Sequence, residues 1–279
     1  MSIKVCIDAG HYGKYNRSPA YPSYYESDMT WKLHLKLKSA LEKYGIQVII
    51  TRPNQAGDLA LRRRGNKSSG CNLFISLHSN AISNSPQSST DRVEVIYPVS
   101  GKASNLANNL ADRISKVMGT NKAYKTYSRR GKSGDYYGVI KGATEVGVPG
   151  LIIEHSFHDY INGNDCPSKW LSVDSNLDKL AAAEAEVIAN YYGLKVTSNT
   201  SASTTKETES SGSTYPKTPF MVKVAINDLN IRKGPSTKYS TNGQTGKGVF
   251  TIVEVSNGFW GKLKSGKGWI SLKYATVIK

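Results

Sequence analysis

The sequence predicts an α/β fold, a mostly parallel, twisted sheet flanked by helices, followed by a small all-β unit. Continuous apolar runs at residues 3–8, 71–77 and 151–154 are typical of central strands in a parallel sheet. A helical pattern follows the first run, and a strand–helix–strand order produces right-handed parallel crossovers. Residues 220–279 instead show short strand patterns separated by turn signals, which indicates an all-β unit.

The elements of the large unit follow from these patterns. Strand 3–8 leads into a loop rich in Tyr, Pro, Gly and Ser, a composition typical of exposed loops that line grooves. Ser27 or Asp28 can cap the next helix, which Gly45 ends. Asp58 opens a short basic helix. The remaining predicted elements are strands at 46–51, 71–77, 93–97 and 135–140 and helices at 104–118 and 176–192.

Residues 195–219 differ in composition from the rest of the chain, because they contain almost no large apolar residues. Such a Ser/Thr-rich stretch is typical of a flexible linker. It separates a large domain at 1–194 from a small domain at 220–279. The large domain carries 24 Lys and Arg against 17 Asp and Glu, whereas the small one carries 10 against 2. This concentrated positive charge favours a polyanionic partner or surface.

The composition also restricts the class of protein. A hydrophobic fraction of 38% and a charged fraction of 21% fit a globular protein in water. No apolar segment approaches the ~20 residues that span a bilayer, so we expect no stable membrane insertion. Residues 1–4 lead directly into a strand without a signal-peptide pattern, so we expect synthesis in the cytoplasm. Cys6, Cys71 and Cys166 form no CxxC pair and are interpreted as buried free thiols.

Polar residues stand at the ends of three predicted strands. His11 follows the first strand, His78 follows the third, and Glu154 closes strand 151–154. In open α/β sheets the ligand crevice lies at the carboxyl ends of the strands. Imidazole and carboxylate groups are ligands of catalytic zinc, which takes three protein ligands and keeps one position open. Two histidines leave one ligand to be found, and Glu26 is the best candidate.

Four motifs together resemble the zinc-dependent N-acetylmuramoyl-L-alanine amidases of bacterial walls. They are Asp8-Ala9-Gly10-His11, Glu26 heading a helix, Ser76-Leu77-His78-Ser79-Asn80 and Ile153-Glu154. The resemblance covers roughly the first two-thirds of the chain. It implies zinc ligands at His11, Glu26 and His78, and it implies hydrolysis of the amide between muramic acid and the first alanine of the peptide stem. Glu154 is then the catalytic general base that deprotonates a zinc-activated water.

Residues beside these motifs keep more than one interpretation. Asp8 can hydrogen-bond His11 and fix its tautomer, bind local backbone, or be only a turn residue. His158 can contact the substrate or orient a neighbour. Side chains alternate along a strand, so His155 is expected on the face opposite Glu154.

Other polar residues have a simple structural interpretation. His34 lies inside a predicted helix, where it is solvated or packed. Arg62 and Asn80 match the amidase pattern, but either can be structural. Arg129 and Arg130 are most simply a solvated face, although neighbouring tyrosines allow them to reach carboxylates of peptide stems.

The small domain resembles the bacterial SH3-like cell-wall-binding domains. The resemblance rests on residues 229–236 and 268–271 and implies binding to peptidoglycan, with teichoic acid as a possible anionic contributor. No groove-reading or stacking motif supports a nucleic-acid partner. Aromatic residues can form a ligand groove, although some are needed for the core of so small a domain: Phe259, Trp260, Trp269 and Tyr274.

These patterns predict a modular peptidoglycan hydrolase of the phage or prophage endolysin type, acting on the cell wall after release. A zinc carboxypeptidase or aminopeptidase that acts on peptide stems is one alternative, and the order of the motifs argues against it. A non-catalytic wall-binding protein is the other, and the presence of all four site residues argues against it. The sequence assigns no oligomeric state.

Overall fold

The structure is a computed structural model, which describes residues 2–195, 215–216, 218–227, 229–236, 239–256 and 259–278. Two compact units divide the chain, Met1–Thr200 and Ser201–Lys279. The predicted linker at 195–219 lies almost entirely outside the described residues, as does the hairpin signal Asn257-Gly258. In the described part of the chain, no helix is both long enough and apolar enough to cross a membrane.

The first unit alternates strands and helices. In chain order its elements are β1 (Lys4–Ala9), α1 (Glu26–Glu42), β2 (Gln47–Ile50), α2 (Leu61–Asn66), β3 (Leu73–Asn80), β4 (Glu94–Ile96), α3 (Ser104–Met118), β5 (Lys125–Tyr127), β6 (Arg130–Gly131), β7 (Gly134–Asp135), α4 (Gly138–Glu145), β8 (Gly150–Phe157), α5 (Pro167–Leu171) and α6 (Asp174–Tyr191).

The main sheet has the strand order β2-β1-β3-β8-β4-β5. All neighbouring pairs are parallel except β4 and β8, which run antiparallel. The mixed α/β architecture with a mostly parallel sheet is therefore as predicted. Parallel order places the carboxyl ends of β1, β3 and β8 at one edge of the sheet.

Strand residues alternate between two cores, one on each face of the sheet. Val5, Ile75 and Ile153 pack with the apolar sides of α1, α3 and α6 in the larger core. Phe74 and Ile152 point the other way, into a smaller core with residues of α4. Both faces are buried, which explains why these strands read as continuous apolar runs.

The prediction of a strand at 135–140 is wrong. The short β7 ends at Asp135, and α4 begins at Gly138. The helix is stabilised by tertiary packing, because Val139, Ile140 and Ala143 recur at helical spacing and are all buried. A short apolar run of this kind does not distinguish a strand from a buried helix.

The second unit consists of strands and one short 3-10 helix within the described residues. Its elements are β9 (Phe220–Val224), β10 (Asn230–Arg232), β11 (Thr241–Gln244), β12 (Gly248–Ser256), β13 (Trp260–Leu263), β14 (Trp269–Ser271), the 3-10 helix Leu272–Tyr274 and β15 (Ala275–Ile278). They form one sheet in the order β11-β10-β14-β13-β12-β9-β15. Its core is apolar and includes Val222, Ile252 and Ile270.

The aromatic residues predicted to form a groove on the second unit do not all face solvent. Trp260 is 4% exposed and Trp269 is 8% exposed, so these rings are structural rather than available to a ligand. Lys262 lies over the Trp269 ring. Tyr274, by contrast, is 61% exposed. The groove expectation therefore fails for both tryptophans.

Candidate metal centre and its cavity

The parallel strands β1, β3 and β8 bring the predicted site residues to one edge of the sheet. His78 and Glu154 are register partners on β3 and β8. His11 follows β1 with φ 58°, a left-handed conformation that histidine adopts more readily than most residues. These three side chains share one cavity of about 700 Å³.

Glu26 is the first residue of α1 and lies between the two histidines. Its Oε2 is 3.2 Å from Nε2 of His11, and its Oε1 is 2.9 Å from Nδ1 of His78. Burial alone raises the pKa of Glu26, but hydrogen bonds to His11 and His78 outweigh it and hold that pKa well below its usual range. The three donor atoms all lie within 4.8 Å of one another, so one metal ion can contact all of them.

Gly10 allows this close approach. A Cβ atom at this position would lie 2.5 Å from Cε1 of His78 and 2.5 Å from the Leu77 carbonyl oxygen. The carbonyl is backbone and cannot move aside without disturbing β3. A side chain at position 10 would therefore separate His11 from His78, which gives the glycine of the first motif a physical role.

Asp8 supports the site through His78 rather than through His11. Its Oδ2 accepts a hydrogen bond of 2.8 Å from Ser76 Oγ, and Ser76 Oγ lies 3.1 Å from Nε2 of His78. The buried Arg64 is 3.6 Å from the same Asp8 oxygen. Thr51 donates to the other oxygen of Asp8. Asp8 is thus neither a partner of His11 nor only a turn residue.

This network fixes the tautomer of His78. Ser76 has one hydroxyl proton and donates it to Asp8, so its oxygen accepts from N–H at Nε2 of His78. The other nitrogen, Nδ1, lies 2.9 Å from the Glu26 carboxylate oxygen. This contact requires either a proton on Nδ1, which Glu26 then accepts, or a cation held by both atoms. Among the described residues, no Lys or Arg pairs with Glu26.

Glu154 faces the same cavity but is not bonded into this cluster. Its Oε2 is shielded from solvent and has no hydrogen-bond partner among the described residues. Burial is the main cause that raises the pKa of Glu154 well above its usual range, and the nearby carboxylates of Glu26 and Glu94 add to it. Glu94 lies directly opposite Glu154 on the antiparallel strand β4. The protonated form of Glu154 is therefore favoured more than that of an ordinary carboxyl group.

His158 lines the cavity on the side of Ser79. Its Nδ1 lies 3.0 Å from the Ser79 carbonyl oxygen and 2.9 Å from Ser79 Oγ. A carbonyl only accepts, so Nδ1 carries the proton and Nε2 is an acceptor. Burial lowers the pKa of His158, which favours this neutral form. His158 thus orients Ser79 and can also accept a hydrogen bond from a molecule in the cavity.

The other predicted polar residues lie farther from the donor atoms. Arg62 pairs with Glu145 and ties α2 to α4. Asn80 lines the cavity. Arg129 stacks on the Tyr136 ring at 3.6 Å, next to the cavity-lining Tyr137.

Sequence reasoning missed Asn16. Its Nδ2 is 2.7 Å from Glu26 Oε2 and 3.1 Å from His11 Nε2, so it touches two of the three donor residues. It lies in the irregular loop between β1 and α1, and no periodic pattern distinguishes it from the other polar residues there. Only the path of the loop brings it to the site.

Comparison with known proteins identifies the family of the first unit. The profile of the N-acetylmuramoyl-L-alanine amidase family matches residues 5–190. The endolysin of Bacillus phage SPP1 is 31% identical over 216 residues, which cover 77% of this chain and 75% of that protein.

Solved amidase structures share the fold of the first unit. The catalytic domain of CwlV from Bacillus (Paenibacillus) polymyxa var. colistinus superposes with a TM-score of 0.57 at 23% identity, covering 69% of this chain and 99% of that one. AmiC2 of Nostoc punctiforme gives a TM-score of 0.55 at 21% identity, covering 68% and 97%. These similarities concern the fold alone.

Proposed function

The chain belongs to the N-acetylmuramoyl-L-alanine amidase family, and we propose that it hydrolyses its peptidoglycan substrate as a zinc-dependent enzyme. The bond cut by such an amidase joins muramic acid to the first L-alanine of the peptide stem. The observation that carries the zinc proposal is the convergence of His11, Glu26 and His78, whose donor atoms all lie within 4.8 Å of one another.

The donor set fits zinc. Two imidazole nitrogens and one carboxylate are a common ligand set of catalytic zinc, and three protein ligands leave one position for water or substrate. A dication at this point would be held by His78 Nδ1 and Glu26 Oε1, which lie 2.9 Å apart. When bound, zinc polarises the scissile carbonyl and lowers the pKa of water toward ~7.

Glu154 is proposed as the general base. Its carboxylate, which lines the cavity, takes a proton from the attacking water while the water oxygen bonds to the lactyl carbonyl carbon. The same carboxyl group then returns the proton to the alanine nitrogen as the C–N bond breaks. The raised pKa of this group favours its holding the proton until the amine leaves.

The second unit is proposed as an SH3-like wall-binding domain. Its concentrated positive charge suits peptidoglycan carrying anionic polymers such as teichoic acid. The similarity to a phage endolysin supports a lytic role on the wall after release.

The test is product analysis on purified walls. Mass spectrometry should find stems with a new N-terminal alanine and glycan with a free lactyl carboxylate. Release of single amino acids instead would identify a stem peptidase and contradict the amidase assignment.

Two variants separate the proposed roles. His78→Ala should lose zinc, because two remaining ligands hold it poorly. Glu154→Gln should keep zinc but lose ~10²–10⁴-fold in turnover, because an amide cannot accept the proton. Glu186→Gln, on an exposed surface pair with Arg113, is the matched control. Near-normal turnover of Glu154→Gln would exclude Glu154 as the base.

A further inference from the structure

A buried ionisable pair lies behind the metal site, on the opposite face of the sheet. His155 follows Glu154 on β8 and points to the other side, where it meets Glu184 of α6. Its Nε2 is 2.9 Å from Glu184 Oε1, and its Nδ1 is 2.9 Å from the carbonyl oxygen of His78. Both side chains are 0% exposed. The chemistry assigned to Glu154 uses neither residue.

The hydrogen-bond partners determine where the protons lie. A carbonyl oxygen only accepts, so Nδ1 of His155 must donate to His78. One further proton is then shared between Nε2 of His155 and Oε1 of Glu184. With either atom holding it, both hydrogen bonds are satisfied and the ring is held at two points. Oε2 of Glu184 has no partner among the described residues, so the contact with His155 is the hydrogen bond that holds this carboxyl group in place.

The carbonyl that His155 holds belongs to the peptide group between His78 and Ser79. The N–H of the same peptide group donates to Glu26 Oε1 at 2.9 Å. One peptide plane is therefore fixed at both ends, by His155 on one side and by a proposed ligand on the other. The register of β3 with β8 shifts between His78 and Asn80, so the regular ladder is interrupted here. Side-chain hydrogen bonds can fix the peptide where the ladder does not.

Fold stability alone does not account for the pair. His155 and Glu184 lie on the face whose neighbours are apolar, beside Ile153 and the buried alanines of α6. Replacing a buried ion pair by apolar side chains of similar volume is often neutral or stabilising. A polar pair in this position is better explained by the peptide group that it orients. In the low dielectric of the protein interior, such hydrogen-bonded groups also polarise one another along a chain.

We infer that His155 and Glu184 are positioning residues for the metal site. They fix the His78–Ser79 peptide group, and through it the imidazole of His78 and the carboxylate of Glu26. This inference rests on the proposed zinc function. It predicts that removing the hydrogen bond from His155 to the His78 carbonyl weakens metal binding, although no ligand atom is changed. Loss of groups that orient metal ligands typically lowers metal affinity 10–100-fold.

The experiment compares three variants of the full chain. His155→Leu removes both hydrogen bonds. His155→Asn keeps an amide N–H near the position of Nδ1 and so retains the donor to His78. Leu180→Ala is the matched control, because Leu180 is fully buried on α6 but its apolar side chain cannot hydrogen-bond the His78 peptide group. Zinc affinity is measured by competition with a chromophoric chelator, at a temperature where circular dichroism shows all variants folded.

His155→Leu should raise the zinc dissociation constant 10–100-fold, and His155→Asn should stay within about threefold of wild type. Leu180→Ala should lower the melting temperature without changing zinc affinity. If His155→Leu does not fold, Glu184→Met, which leaves Nε2 without its partner, should show the weaker binding instead.

The inference is overturned if folded His155→Leu, or Glu184→Met in its place, binds zinc as wild type does, or if Leu180→Ala loses zinc affinity to the same extent. Wild-type protein that takes up no zinc would instead contradict the proposed function itself. The two failures are therefore distinguishable.

Discussion

Acid should destabilise the first unit through His34, a residue remote from the proposed chemistry. His34 lies on the buried side of α1 at 1% exposure, and neither ring nitrogen has a hydrogen-bond partner in the described part of the chain. Burial is the main cause that lowers its pKa from 6.5 to about 4. The positive charge of Arg52 lowers it further, while the nearby Thr30 and Trp31 carbonyls and Asp8 act in the opposite direction.

The sign and size of the effect follow from linkage. A lowered folded-state pKa means that the unfolded chain binds the proton first, so stability is full above pH 6.5 and falls as the pH drops toward 4. At about 1.4 kcal/mol per pKa unit, the total loss is about 3 kcal/mol. About 2 kcal/mol of it should be lost between pH 7.5 and pH 5.

The assay is urea unfolding of wild type and His34→Leu at pH 7.5 and pH 5, with chelator present so that metal release does not contribute. Circular dichroism at 222 nm follows the first unit, because the described α-helices all lie there. Other acid-sensitive groups are present in both proteins, so their contributions to the loss of stability cancel in the comparison. The variant should lose about 2 kcal/mol less than wild type over this range. An equal loss in both proteins would refute the assignment to His34.

Two further predictions concern the division of labour and the packing. A fragment of residues 1–194 should cut small soluble muropeptides at nearly the full-length rate but should cut intact walls more slowly. Added salt should reduce the difference in wall-cutting rate between the fragment and the full chain. Equal clearing of walls by the two proteins at low salt would contradict a targeting role for the second unit. Gly142→Ala should destabilise by about 1–3 kcal/mol in thermal unfolding, because its Cβ would lie 2.0 Å from the Arg62 carbonyl oxygen of α2; a raised melting temperature would show that the two helices separate easily.

Local patterns predicted most of the sheet, and the edge at which the polar residues gather, for a physical reason. Strands buried on both faces are continuous apolar runs, and parallel strands must end at the same edge. The position of His11, His78 and Glu154 at that edge follows from these two facts. Their roles as ligands and base remain predictions until metal and turnover are measured.

Features that depend on long-range packing could not be predicted. The helix α4 resembled a strand because its apolar run is short, and its contact with α2 is formed only in the folded chain. Asn16 reaches Glu26 through an irregular loop. The pairing of His155 with Glu184 joins residues that no sequence pattern connects. The sequence likewise identified Trp260 and Trp269 as candidates for a ligand groove, but the burial of these rings depends on their neighbours in the sheet.

The alternation of side chains along β8 limits the changes of length that this enzyme can tolerate. Glu154 and His155 are adjacent, yet one faces the cavity and the other faces α6. A one-residue deletion or insertion upstream within the strand would exchange the two faces, placing an imidazole in the cavity and a carboxylate against the helix. Length changes in homologues or engineered versions should therefore accumulate in the loops before and after β8 rather than within the strand.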